Sequence, residues 1–133
     1  MGAPAFEDLG HGITAIDTGF VRPFFDASHL VVEKGRAALV DVGTSYSVPR
    51  LLAVLGDKGL RPEDVDYVIV THVHLDHAGG AGEMMRRLPK ARLVVHPRGA
   101  RHMVDPSKLW AGASAVYGEE AMARNYGQLV PVD

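Results

Sequence analysis

The sequence predicts one α/β domain, because strand-like and helix-like segments alternate along 133 residues. Hydrophobic residues at 47% and charged residues at 23% are ordinary globular values. No run approaches the roughly 18 apolar residues of a membrane span. The first ten residues also lack the pattern of a secretory signal. We therefore expect a cytoplasmic protein, with a core sheet and polar motif in residues 1–97 and a helical segment in 98–133.

Five strands are predicted from β-branched or alternating runs that end at turn residues. They are Gly12–Asp17, Ser28–Glu33, Arg36–Val42, Asp66–Val70 and Arg92–Val95. Lys34-Gly35 is typical of a two-residue hairpin connection. Residues before Gly12 are expected to be frayed.

Four helices are predicted from apolar residues at helical spacing and from the turn residues that end them. They are Val48–Leu55, Ala81–Leu88, Gly99–Val104 and Ser114–Tyr126. Pro62-Glu63-Asp64 suits a short helical turn.

Composition excludes several classes of function. A formal charge of −2 argues against a general nucleic-acid binder, which carries a strongly basic face. The absence of cysteine excludes a disulfide scaffold, a thiolate nucleophile and a cysteine-ligated metal. Any metal must be held by histidine, aspartate or glutamate.

One passage concentrates such ligands directly after a predicted strand: His72, His74, Asp76 and His77. In extended backbone, side chains two residues apart point the same way, so His72 and His74 can share one ion. Asp76 and His77 fall where the chain turns and can aim at a second point nearby. We expect the glycines at 79, 80 and 82 to permit close backbone approach and unusual dihedrals.

This motif, His72-x-His74-x-Asp76-His77, resembles the signature of the metallo-β-lactamase fold superfamily. Two preceding stretches strengthen the resemblance, namely Asp41-Val42-Gly43-Thr44 and residues 60–71. The resemblance covers about residues 11–97 and is closest to the glyoxalase II-like and general hydrolase branch. It implies the first half of an αββα sandwich, with one mixed sheet and flanking helices.

The resemblance also implies roles for these residues. His72 and His74 would bind a first metal ion, and Asp76 and His77 a second, with zinc expected and iron or manganese as alternatives. Asp76 is the candidate catalytic residue, since its counterpart hydrogen-bonds the metal-bound water. Asp41 is expected behind the cluster, where it would hold the loop without binding metal.

The remaining ligands of the family pattern have no counterpart after His102. We therefore expect an N-terminal half that is weakly active or inactive alone, completed by a second copy or by a C-terminal half. The expected activity is hydrolysis of an ester, thioester or similar bond in a small molecule, with neither nucleic acid nor membrane as partner. The alternatives are an iron-dependent sulfur dioxygenase of the same fold and a non-catalytic metal-binding half-domain.

Weaker candidates surround the motif. His96 and His102 are more simply a strand-end residue and a helix-surface residue than ligands. Phe20, Phe24 and Phe25 either line a substrate pocket or pack in the core. The segment Trp110–Tyr126 is expected to act as a lid over the site.

Overall fold

The computed structural model describes residues 6–20, 26–72, 75–126 and 129–132, leaving aside the side chain of Asp76. One six-stranded sheet has its strands in chain order. The strands are β1 Phe6–Gly10, β2 Ile13–Asp17, β3 Ala27–Glu33, β4 Arg36–Val40, β5 Val65–Ile69 and β6 Arg92–Val94. Strands β1 to β4 are antiparallel, whereas β4, β5 and β6 run parallel. This mixed sheet confirms the predicted α/β class and all five predicted strands.

Six helices lie in the described ranges, and most begin or end close to the predicted positions. They are α1 Val48–Asp57, α2 Leu75–Ala78, α3 Ala81–Arg87, α4 Pro97–Val104, α5 Ser107–Tyr117 and α6 Glu119–Tyr126. Two 3-10 turns, Ser45–Ser47 and Pro62–Asp64, precede α1 and β5. None of these helices is long and apolar enough to cross a membrane.

One face of the sheet forms the core together with α1 and α3. Leu30, Leu39 and Val68 occupy paired positions on three neighbouring strands and are fully buried. They belong to one cluster with Leu51 of α1 and Met84 of α3. Burying each such side chain contributes about 1.5–3 kcal/mol. This cluster fixes the sheet against the helices that flank the polar motif.

The opposite face of the sheet is apolar but open. Two rows of paired residues cross it, namely Ala15, His29, Val40, Ile69, Val94 and Ile13, Val31, Ala38, Tyr67, Arg92. Val31, Tyr67 and Val94 remain 37%, 49% and 46% exposed. Exposed apolar side chains grouped on one face of a sheet are typical of an interaction surface.

Two sequence predictions were wrong. Residues 6–10 are not frayed, because they form β1, which pairs with β2 as an edge strand. The strand escaped detection because all five of its residues are exposed and show no alternation. The predicted helix Ser114–Tyr126 is wrong in its start and its continuity: Ser114–Tyr117 is the end of α5, which begins at Ser107, and α6 begins at Glu119. Gly118 separates the two helices with φ 86°, which an α-helix cannot contain.

Candidate metal centre

The site lies at the carboxyl ends of the parallel strands β4 and β5. Strand β4 ends at Val40, and Asp41 follows with φ 58°, a left-handed conformation that aspartate tolerates. The Asp41 N–H donates to the Ile69 carbonyl at 2.7 Å and so continues the pairing with β5. Thr71 comes two residues after Ile69. The parallel register thus brings Asp41 and Thr71 side by side.

The Asp41 carboxylate binds Thr71 through both of its oxygens. The Thr71 N–H donates to Oδ1 at 2.9 Å, and the Thr71 hydroxyl donates to Oδ2 at 2.7 Å. Asp41 is only 7% exposed, so these bonds also satisfy a buried charge. Asp41 therefore lies directly behind the beginning of the motif, as the family resemblance implied.

His77 is anchored through its backbone and flanked by carboxylates. Its carbonyl accepts the N–H groups of Val42 and Gly43 at 2.9 and 3.1 Å. Its ring Nδ1 lies 3.4 Å from Asp41 Oδ2, and its Nε2 lies 3.8 Å from Asp26 Oδ1. Helix α2, a single turn, provides the bend that the sequence predicted at this point.

The His72 and His77 rings meet, with centroids 4.4 Å apart and planes tilted by 49°. His72 is exposed, and its Nδ1 lies 2.9 Å from Thr71 Oγ1. Two of the four predicted ligands are therefore adjacent. His74 and the side chain of Asp76 lie outside the described residues, so their predicted roles stay predictions.

The donor set suits a metal ion, although it is incomplete over the described part of the chain. Imidazole nitrogens beside carboxylates are the ligands that zinc and iron use in cysteine-free sites. Among the described side chains, no group of three histidine or acidic residues is placed to hold an ion. His72 and His77 are two of the four predicted ligands, and the other two, His74 and the side chain of Asp76, lie outside the described residues.

Asp26 is a site neighbour that the sequence analysis missed. It stands immediately before β3, about fifty positions from His77, and no local pattern marks it. It is placed by the loop that precedes β3, where its carbonyl accepts the Thr18 N–H at 3.1 Å and the Thr18 hydroxyl at 3.1 Å. Only the folded sheet brings its carboxylate to the motif.

The four other histidines lie in caps, turns, strands or helices away from the cluster. His96 caps the N-terminus of α4, where its Nδ1 accepts the Arg98 N–H at 3.1 Å. His11 lies in the turn between β1 and β2, and His29 lies on the open sheet face. His102 is half-buried on α4. None of these four is placed in the cluster.

Helix α6 packs beside the loops that border the site. The Tyr46 hydroxyl donates to the Ala123 carbonyl at 2.5 Å, and Met122 is fully buried. The Phe20 ring lies 5.3 Å from the Tyr126 ring, and both Phe20 and Tyr46 line a cleft there. Phe24 and Phe25 lie outside the described residues. The lid role of this segment stays a prediction.

An α/β sheet with histidines and aspartates at the carboxyl ends of its parallel strands defines a candidate metalloprotein. A sequence profile of the metallo-beta-lactamase superfamily matches residues 21–130. The chain therefore belongs to the metallo-beta-lactamase superfamily.

Individual relatives agree with this family. Hydroxyacylglutathione hydrolase of Stenotrophomonas maltophilia is 37% identical over 65 residues, which are 49% of this chain and 23% of the relative. A metallo-beta-lactamase from Cronobacter sakazakii, altered in its HARLDQ motif, superposes on 100% of this chain and 46% of its own, with a TM-score of 0.68 and 24% identity. A class B3 di-zinc metallo-beta-lactamase from an Alaskan soil metagenome covers 75% of this chain and 36% of its own, with a TM-score of 0.65 and 20% identity.

The two solved structures share the fold with this chain. The chain spans less than half the length of all three of these proteins.

Proposed function

We propose that this chain is the metal-binding part of a metal-dependent hydrolase that cleaves an ester, thioester or similar bond in a small molecule. The observation that carries the proposal is the pair of rings, His72 and His77, that meet beside Asp41 at the ends of two parallel strands. Superfamily membership and the similarity to a protein named hydroxyacylglutathione hydrolase support hydrolysis. A thioester or ester is the first substrate class to test.

The proposed roles follow the sequence resemblance. His72 and His74 hold one metal ion, and Asp76 and His77 hold a second. Zinc bound there would lower the pKa of a coordinated water and polarise the substrate oxygen. Asp76 would orient that water through a hydrogen bond and would take up its proton. Asp41 holds Thr71 by two hydrogen bonds and lies beside the His77 ring, so it supports the start of the ligand-bearing loop.

Metal binding is tested by elemental analysis of protein purified without added metal. We expect bound metal in the unaltered chain, and a sharp loss in His72→Ala and His77→Ala, since each removes a ligand. His102→Ala is the matched control and should retain its metal. Equal loss in all three variants would contradict the assignment. Because metal-binding histidines must be deprotonated, occupancy should also fall as the pH is lowered.

Hydrolysis is tested with an activated ester and a thioester in the presence of zinc. Catalytic zinc normally has three protein ligands and a water, whereas the motif supplies two ligands for each ion. We therefore propose weak turnover or none by the 133-residue chain. Robust turnover that Asp76→Ala abolishes would show that the ligand set is completed within this chain or by a second copy.

Two alternatives have their own discriminating observations. An iron-dependent sulfur dioxygenase would use the same ligand types, and iron in place of zinc in the elemental analysis would favour it. A metal-binding half-domain that assembles with a second copy is favoured by the open face that exposes Val31, Tyr67 and Val94. Sedimentation velocity distinguishes this case, because a strictly monomeric, well-folded species would contradict assembly.

A further inference from the structure

Three polar groups form a chain that leads from the buried side of the site to a proposed ligand. The Asp41 carboxylate accepts from the Thr71 hydroxyl at 2.7 Å, and the same hydroxyl oxygen lies 2.9 Å from His72 Nδ1. Asp41 is buried, whereas Thr71 and His72 are exposed. The order of the three groups is therefore carboxylate, hydroxyl and imidazole.

The number of available hydrogens decides the direction of each bond. An ionised carboxylate only accepts hydrogen bonds, and a hydroxyl has a single hydrogen to donate. The Thr71 N–H already occupies Asp41 Oδ1 at 2.9 Å. The hydroxyl hydrogen must point at Oδ2, because otherwise two oxygen lone pairs would face each other at 2.7 Å. Thr71 Oγ1 therefore presents only a lone pair to His72.

Since Oγ1 accepts, His72 Nδ1 must carry the hydrogen. In a neutral imidazole the other nitrogen, Nε2, then keeps its lone pair and is the one able to bind a metal ion. We propose that Thr71 is a positioning residue that holds His72 in this tautomer and sets its ring angle before metal arrives. The inference rests on the proposed function for its purpose, but the tautomer itself is a property of the metal-free chain.

Asp41 determines which way the Thr71 hydroxyl hydrogen points. Replacing Asp41 by asparagine should therefore reverse the direction of that hydrogen bond. In Asp41→Asn, the amide oxygen accepts the Thr71 N–H as before, and the amide NH₂ then faces Oγ1 as a donor. The hydroxyl hydrogen is released from Asp41 and turns toward His72 Nδ1. His72 Nδ1 would then accept the hydroxyl hydrogen, so the opposite tautomer of His72, with its hydrogen on Nε2, would be favoured.

The tautomer is measured by long-range ¹H–¹⁵N correlation spectra of metal-free protein labelled at histidine nitrogen. Spectra are recorded at about pH 8, above the reference histidine pKa of about 6.5. The His72 signals are identified by their loss in His72→Gln. We expect the Nδ1–H form in the unaltered chain and in Thr71→Ser, which keeps the hydroxyl. Thr71→Val should lose this preference, and Asp41→Asn should shift His72 toward the Nε2–H form.

An Nε2–H tautomer in the unaltered chain would overturn the proposal, as would an Nδ1–H form that persists in Thr71→Val. Zinc titration of the same proteins supplies a second readout. Loss of a hydrogen bond that orients a ligand typically weakens metal binding by about 10- to 100-fold, so Thr71→Val should bind zinc at least tenfold more weakly than Thr71→Ser. Expected tautomers without any zinc binding would refute the proposed metal site but leave the tautomer inference standing.

Discussion

The close approach of α3 to the loop after β4 gives a sharp prediction about stability. Gly80 precedes α3, and a Cβ atom built there would lie 2.4 Å from the Thr44 carbonyl oxygen. Real Cβ contacts are essentially never shorter than 3.0 Å, so Gly80→Ala must separate the two backbones by at least 0.6 Å. The atoms that this Cβ would meet all belong to the backbone of Thr44 and Ser45, so no side-chain rotation can relieve the contact.

The separation acts on three hydrogen bonds. The Gly80 N–H donates to the Gly43 carbonyl at 2.8 Å, and the Val42 and Gly43 N–H groups donate to the His77 carbonyl at 2.9 and 3.1 Å. Lengthening each by 0.6 Å brings them to 3.4–3.7 Å, near or beyond the limit of a hydrogen bond. At about 1 kcal/mol for each bond, Gly80→Ala should lower the free energy of unfolding by about 3 kcal/mol.

The assay is urea denaturation of metal-free protein, followed by circular dichroism. The matched control is Gly112→Ala, because Gly112 lies inside α5 and a Cβ there would meet nothing within 4 Å. That control should gain up to about 1 kcal/mol from helix propensity. A Gly80→Ala protein within about 0.5 kcal/mol of the unaltered chain, the range of a neutral surface change, would refute the reasoning.

Two further predictions concern the packing of α3 against Val130 and the ion pair between Arg36 of β4 and Asp66 of β5. In Gly82→Ala a Cβ would lie 1.6 Å from the Val130 carbonyl oxygen. The free energy of unfolding, measured by urea denaturation, should therefore fall despite the higher helix propensity of alanine. A higher free energy of unfolding would contradict the prediction. The Arg36 guanidinium donates to Asp66 and holds the pKa of that carboxyl below its ordinary value of 3.8. The folded chain then binds this proton less readily than the unfolded chain, so the stabilisation is present above pH 3.8 and is lost as the pH falls through the lowered pKa. Acid titration of Arg36→Met should show a smaller loss of stability over that range than the unaltered chain, and identical acid profiles would contradict the pairing.

The sequence predicted the sheet well where burial alternates along a strand. Strand β4 shows this alternation, with Ala37 and Leu39 buried and their neighbours less so, and its pattern is readable without the fold. Strand β1 could not be found in this way, because an edge strand with both faces exposed carries no periodicity. The break at Gly118 was also overlooked, since a single glycine inside a helical pattern does not by itself reveal its φ angle.

The candidate site was predictable only as far as its residues are local in sequence. His72 and His77 stand in one short motif, so their proximity could be inferred from spacing. The contact of Asp41 with Thr71 depends on the register of two parallel strands, and only the resemblance to a family placed Asp41 near the motif. The position of Asp26 beside His77 depends on the pairing of the antiparallel strands β1 to β4. The glycines before α3 act through close packing and not through unusual dihedrals, as the Gly80 φ of −90° shows.

The agreement between strand order and chain order also bears on how the molecule is built. Each strand from β2 to β6 pairs with the strand that directly precedes it, so no strand must be inserted between two that have already paired. During synthesis, each new strand can pair with the edge strand that precedes it in the chain. Pairing between neighbours in sequence also keeps the entropic cost of loop closure low. Asp41 and Thr71 meet only when β5 joins β4. If strands pair in chain order, the candidate site forms only after the four antiparallel strands have paired.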